Sequence, residues 1–298
     1  MKLIVQFSGG KDSQAVLIHT VQKYGSGKVV AVFQDTGFEH QKTYNHINKC
    51  CDDLSVELVV NKSKKYEGMF DLAKQKKRFP SSYARFCTTH LKIYPFIDYL
   101  LDEVQQSVII FQGIRKNESL ARSKMNSECR LFKYYIDPYG KDNRGNNRFH
   151  NYRKKEVLKF LENYGDDIIR PVFDWSGNDV MDFILKNGQK PNPLYYEGFS
   201  RVGCFPCVQC GLSELNIVRK NYPERFKEIE DFELHTGLSF AQPDKIPDRY
   251  QTGISKRGVS FPLIKDVGRY LADRDSTGNL FSSDPEFQSC MSIYNICE

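Results

Sequence analysis

The chain contains no apolar run approaching the roughly 20 residues that a membrane-spanning helix needs. Its start, Met1 to Ser13, lacks the long apolar stretch and cleavage site of a secretory leader. A soluble, cytoplasmic protein with no membrane partner is therefore expected. The even cysteine count of a secreted disulfide framework is missing too: there are nine. Internal repeats and long low-complexity tracts are absent, and hydrophobic residues at 40% with charged residues at 27% exclude disorder throughout. Lys and Arg (43) exceed Asp and Glu (37) by only six, a bias compatible with anionic substrates or nucleic acid that does not choose between them.

At 298 residues the chain is long enough for one large domain or two. Short apolar runs alternate with amphipathic stretches. Lys2–Phe7, Val29–Gln34, Val56–Val60 and Ser107–Gln112 read as buried strands. Helices are expected at 12–24, 38–51, 66–77 and 91–103, the last with Pro95 in its first turn. A polar insertion at 123–166, rich in Arg, Lys, Asn and Tyr, holds a short helix near 154–164. A strand at Ile168–Phe173 and a helix at 176–187 with Ser176 as N-cap follow. The stretch 190–196 is expected to be extended because of Pro191 and Pro193, and two more helices occupy 212–221 and 223–235. The last 60 or so residues show no clear periodicity. The expectation is an α/β fold with a mainly parallel central sheet flanked by helices over 1–211, and a smaller helical and irregular extension over 212–298.

Ser8-Gly9-Gly10-Lys11-Asp12-Ser13 lies between a strand and a helix. Glycines there let backbone N–H groups approach an anion, and the helix N-terminus adds a favourable dipole. Lys11 contributes a point charge, while Ser8 and Ser13 contribute hydroxyls. The Walker spacing is absent. A second chemical signal is Cys204-Phe205-Pro206-Cys207-Val208-Gln209-Cys210, a CxxCxxC run able to converge on a metal or cluster. Cys50-Cys51 reads as a tandem of small, semi-buried helix residues, and Cys129 carries no geometric signal.

The SGGxDS segment at the first strand–helix turn resembles the PP-loop ATP pyrophosphatases. Asp35-Thr36-Gly37-Phe38-Glu39, Gly113-Ile114-Arg115-Lys116-Asn117-Glu118-Ser119 with Arg122, Pro171–Trp175, Asn192-Pro193-Leu194-Tyr195 and Arg201–Cys204 are similar, in order, to motifs of the phosphoadenosine-phosphosulfate (PAPS) reductase family. The resemblance covers residues 3–210. It implies that the segments hold an adenine nucleotide (ATP, or PAPS or adenylylsulfate) at the carboxyl edge of the sheet. On that reading Ser8, Gly9, Gly10, Lys11, Asp12 and Ser13 contact phosphate or Mg2+. Asp35, Thr36 and Gly37 line the nucleotide site, Gly113 permits close approach, and Arg115, with Glu118 and Arg122 beside it, clamps an anionic oxygen. Lys11, Asp12 and Arg115 are the expected catalytic residues. Cys87, which precedes a family-like LKxxP segment ending at Pro95, joins Cys204, Cys207 and Cys210 as the implied ligands of a 4Fe-4S cluster, with zinc as the alternative.

The sequence departs from the family in two places. Phe86, not a second cysteine, precedes Cys87, and the ECGxH-like tail of assimilatory reductases is missing. Cys290 and Cys297 stand near the end without that neighbourhood, and Glu286 and Glu298 do not favour their thiolates. Three activities follow. The first is an ATP-cleaving enzyme that activates DNA or tRNA for sulfur insertion, like Dnd-type phosphorothioation or tRNA-thiolation proteins, with a sulfur donor protein. The second is a PAPS or adenylylsulfate reductase with a thioredoxin-like reductant and Cys290 or Cys297 as nucleophile. The third is a non-catalytic nucleotide-binding module. Nucleic acid would lie along 62–65, 74–78 and 144–155, with Phe149 and Tyr152 stacking on bases.

Overall fold

The computed structural model describes residues 1–276. The chain forms two compact units that interleave in sequence. Among the described residues, the first unit takes 1–35, 41–63 and 91–193, and the second takes 36–40, 64–90 and 194–276.

The first unit is built on a six-stranded sheet: β1 (Lys2–Gln6), β2 (Val29–Gln34), β3 (Glu57–Asn61), β4 (Val108–Gln112), β5 (Glu128–Arg130) and β6 (Asp166–Ile169). The order is β3-β2-β1-β4-β6-β5, parallel throughout except for the antiparallel edge strand β5. β1 and β2 are almost unbroken runs of Val, Ile, Leu and Phe because helices cover both faces of the sheet. Leu3, Val5, Ala31 and Phe33 pack on one face with Val16 and Leu17 of α1 (Lys11–Tyr24), Ile47 of α2 (Gln41–Asp53) and Val180 and Ile184 of helix Gly177–Lys186. Ile4, Val30, Val32 and Ile110 face the other way, onto Phe96 and Leu100 and onto Val157 and Phe160 of helix Lys154–Asn163. β1 is the first strand, and its neighbours β2 and β4 lie on opposite sides. The crevice above its carboxyl end is where open α/β sheets bind ligands.

The second unit packs α3 (Met69–Lys76) and helices Leu212–Asn221, Pro223–Thr236 and Ile264–Ser276 around aromatic side chains. Phe70 stacks on Phe232 at 4.5 Å, and Phe79 meets Phe240 edge-on at 5.2 Å. The Arg225 guanidinium lies 3.9 Å from the Phe38 ring centroid and donates from Nε to the Phe205 carbonyl. Buried Glu233 ties the later segments together by accepting the backbone N–H groups of Phe240 and Ile264, each at 2.6 Å. Burial pushes its carboxyl up to about 7, against the opposing pull of those two N–H donors. A carboxyl whose folded pKa lies above its unfolded value stabilises most when protonated. Glu233 therefore contributes fully below about pH 4.5, and its contribution is lost as pH rises through about 7. The thermal midpoint of the wild type should fall over that interval relative to Glu233→Gln, and parallel pH profiles of the two proteins would contradict this.

Local differences from the sequence expectation have physical causes. The strand expected at 168–173 is Asp166–Ile169, since Pro171 has no N–H to extend the ladder. The stretch expected to be extended at 190–196 closes into a 3-10 turn at Pro193–Glu197. The helix at 91–103 is regular only over Tyr94–Tyr99, between π-helical turns at Thr89–Ile93 and Leu100–Val104. Ser176 is the N-cap expected, reciprocating with Asp179 in a capping box. Cys50 and Cys51 are fully buried on α2, with both thiols pushed up to about 12 by burial first of all.

Candidate nucleotide site

β1 runs into Phe7, whose N–H still bonds to the Val32 carbonyl at 3.0 Å, and the chain then turns sharply. Gly9 makes that turn at φ +74°, and a Cβ there would lie 2.9 Å from Ile47 and 3.0 Å from Thr43. Only glycine meets both conditions at once. Ser13 Oγ holds the loop from inside: it donates to the Gly10 carbonyl at 2.9 Å and accepts the Ser8 N–H at 3.2 Å. Gly10 is the N-cap of α1 and supplies no side-chain acceptor to the first-turn amides. Those amides and the helix dipole favour an anion at this end. Lys11, only 6% exposed, brings a buried positive charge to the same turn. Fully buried Asn192 donates from Nδ2 to the Gly9 carbonyl at 3.2 Å and to Thr43 Oγ1 at 3.3 Å. The sequence supplied Asn192 only as part of a motif; its role of fixing the loop across 183 residues appears in the fold.

Gly113 follows β4 and lies directly against this loop. A Cβ on it would sit 2.5 Å from the Ser13 nitrogen and 2.6 Å from the Asp12 carbonyl carbon. Two residues on, buried Arg115 donates from Nε to Asp12 Oδ1 at 2.6 Å. The pair fixes both side chains and keeps the remaining guanidinium N–H groups in a planar fork suited to phosphate or sulfate oxygens. Glu118 accepts the Arg115 backbone N–H at 3.2 Å and ion-pairs with Arg122, so these two residues shape the turn that presents Arg115.

The Asp-Thr-Gly segment is divided between the units. Asp35 belongs to the first, where its carboxylate accepts from Tyr44 Oη at 2.7 Å and pairs with Lys62 at 3.1 Å. Thr36 and Gly37 belong to the second. Glu39 accepts from the Thr36 hydroxyl at 2.8 Å and from the N–H groups of Thr36 and Phe38. Within the motif, Glu39 is the residue that closes this turn.

All four candidate cysteine ligands lie in the second unit. Cys87 sits in a single helical turn, Phe86–Thr88. The Cys204 thiol lies 3.5 Å from Thr36 Oγ1 and 4.0 Å from a Glu39 carboxylate oxygen. Cys210 is 5% exposed, and burial raises its thiol pKa well above the ordinary value, with Glu214 and Cys207 adding to the shift. Among the described residues, no three Cys, His, Asp or Glu side chains converge as metal ligands. The four cysteines expected as ligands are gathered in one unit, and Cys290 and Cys297 lie outside the described residues. Tyr152 also departs from expectation: its ring stacks on Tyr94 at 3.7 Å and its hydroxyl bonds to Asp98, so it is not a free platform for a base.

The phosphoadenosine phosphosulfate reductase domain model matches residues 2–210, which contain the loop, Gly113, Arg115 and the CxxCxxC run. The chain belongs to the PAPS reductase domain family. Among its relatives, an uncharacterized 37.8 kDa protein of Escherichia phage 186 is 27% identical over 99% of this chain and 96% of its own length. An uncharacterized protein of Methanocaldococcus jannaschii is 26% identical over 77% of this chain, which spans only 41% of that relative. Among solved structures, PAPS reductase from Candida auris in a phosphate complex shares 16% identity at a TM-score of 0.45, covering 70% of this chain and 83% of the other. No helix among the described residues is long and apolar enough to cross a membrane.

Proposed function

We propose that this PAPS reductase family member binds Mg2+–ATP at the Ser8–Ser13 loop and cleaves it between the α- and β-phosphates to activate an acceptor for sulfur insertion. The observation that carries this reading is the loop itself. An uncapped helix N-terminus and a buried lysine belong to one turn above the carboxyl end of β1, and a buried arginine from the end of β4 is oriented against that turn by Asp12. In the step proposed, an acceptor oxygen attacks the α-phosphorus and the bond to the bridging α–β oxygen breaks. Pyrophosphate leaves, and the adenylylated acceptor can then exchange AMP for sulfur from a donor protein. Lys11 and the first-turn N–H groups of α1 stabilise the charge growing on the departing pyrophosphate, and Arg115 holds an equatorial oxygen. Asp12 is the loop carboxylate that Mg2+ would take as an oxygen ligand. When bound, the ion neutralises phosphate charge.

We infer a nucleic-acid acceptor, DNA or tRNA. Residues 133–155 carry seven Lys or Arg against two Asp or Glu. They include a hairpin, Gly140–Lys141 paired with Asn147–Arg148, beside which exposed Tyr139 and His150 stack at 5.0 Å with Arg148 over the tyrosine. Basic groups interleaved with exposed rings fit a phosphate backbone and unstacked bases. Pyrophosphate release from ATP should rise when the cognate DNA or tRNA is added. The family match also favours a second reading, a PAPS or adenylylsulfate reductase. Sulfite release with a thioredoxin-type reductant, lost on Cys290→Ser or Cys297→Ser, would select that reading over ATP cleavage.

A further inference from the structure

The chain beyond residue 210 lies outside the family match. Within it, Gly253–Ile254 pairs antiparallel with Ser260–Phe261 to form a short hairpin of the second unit. One buried carboxylate holds both ends of this hairpin. Asp266, 2% exposed, accepts from the Thr252 N–H at 2.9 Å, the Thr252 hydroxyl at 2.9 Å and the Leu263 N–H at 3.0 Å. The tip is a tight turn. The Gly258 N–H bonds to the Ser255 carbonyl at 2.9 Å, and Ser255 Oγ accepts the Val259 N–H at 3.0 Å. Lys256 and Arg257 take the two central positions of that turn and are exposed.

The aliphatic side chains beside the tip are exposed as well, Ile254 at 74% and Val259 at 64%. Ile254 lies opposite Ser260 in the ladder, so strand alternation sends Val259 to the other face. A ribbon with an exposed aliphatic side chain on each face stands clear of the rest of its unit. Its charge is of one sign: from Arg249 to Lys265 there are four Lys or Arg and no Asp or Glu. Two-residue strands offer too few main-chain groups to bind by strand addition, so recognition falls to the side chains.

Two cations flanked by two aliphatics suit a partner that carries phosphates outside and apolar groups within reach. A two-stranded ribbon enters the major groove of B-form DNA, about 12 Å wide, where thymine methyl groups meet apolar side chains. The deep, narrow major groove of A-form RNA does not admit it. Bilayer interfaces are anchored by Trp and Tyr, and residues 254–259 contain neither. We propose that the hairpin at 253–261 is a docking arm for duplex DNA, with Lys256 and Arg257 on backbone phosphates and Ile254 and Val259 against base edges. The inference rests on the nucleic-acid acceptor reading above and narrows it to DNA.

The test measures binding of the full chain to a fluorescein-labelled DNA duplex of mixed sequence, to unfractionated tRNA, and to vesicles of phosphatidylcholine and phosphatidylserine. Lys256→Gln with Arg257→Gln should weaken duplex binding roughly tenfold and lower the slope of log affinity against log salt by about two. The charge-keeping exchange, Lys256→Arg with Arg257→Lys, should hold both values, which guards against a misfolded turn. Lys28→Gln with Lys186→Gln removes two exposed charges from the first unit and should stay within about threefold of wild type. Ile254→Ser with Val259→Ser should weaken duplex binding roughly tenfold at an unchanged salt slope. Unchanged duplex affinity in the glutamine and serine variants would overturn the arm and leave the acceptor reading standing. Binding of tRNA as tight as that of the duplex, with the same losses, would overturn the choice of DNA. Vesicle binding lost in the serine variant while duplex binding persists would make the hairpin a membrane contact instead. A wild type that binds neither nucleic acid would remove the acceptor reading and this inference together.

Discussion

Lys11→Ala lowers pyrophosphate release by roughly 100-fold or more, the loss seen when one preorganised charge or donor is removed from a developing oxyanion. Lys11 is the first residue of α1 and is 6% exposed. A lysine at a glycine turn and a helix N-terminus stands where phosphate oxygens are met. Lys11→Arg should not restore activity, because the wider planar fork cannot enter the same buried position as a point charge. The loss should appear in kcat and in nucleotide affinity together, since on the proposed reading Lys11 meets the phosphates before and during cleavage. A Lys11→Ala protein that retains more than a tenth of wild-type activity would remove the loop from the chemistry.

Gly113→Ala is expected to be the most damaging single methyl group in the first unit. The added Cβ would meet main-chain atoms at 2.5 Å (Ser13 N), 2.6 Å (Asp12 C) and 2.8 Å (Asp12 O), which no rotamer change can relieve. Either β4 or the start of α1 must move. Overpacking of this kind costs about 1–3 kcal/mol. Displacing the catalytic turn by about 1 Å is worth on the order of 100-fold in rate. Gly140 is the matched control, since a Cβ there meets nothing within 4 Å. Thermal midpoints and ATP affinities of the two alanine variants should therefore diverge: Gly113→Ala falls on both, and Gly140→Ala matches wild type. Equal behaviour would mean that the close approach of β4 to the loop is not needed for the site.

The parts of this architecture that depend on near neighbours were legible in the sequence. Continuous apolar strands, the glycine turn before Lys11 and the Ser176 cap each follow from a few adjacent residues, and each is found in the fold. Features made by distant pairings were not legible. Asn192 reaches the loop from 183 residues away. Tyr152 looked available because its sequence neighbours are charged and polar, but Tyr94 and Asp98, more than 50 residues earlier, occupy its ring and hydroxyl. The helix at Ile264–Ser276 lies in a turn-rich stretch without clear periodicity; Ile264, Val267 and Leu271 are its buried apolar positions. For the cysteines, spacing alone could bring three thiols near one another. It could not show that the Cys204 thiol lies beside Thr36 and Glu39 or that Cys210 is buried.

The central claim is that the Ser8–Ser13 loop directs cleavage to the α–β bond of ATP. Phosphorus NMR of the products formed from Mg2+–ATP, with and without candidate DNA or tRNA, tests it directly. The account predicts inorganic pyrophosphate together with AMP or an adenylylated acceptor, both absent with Lys11→Ala. ADP and orthophosphate as products, or ATP left intact while PAPS yields sulfite, would contradict it.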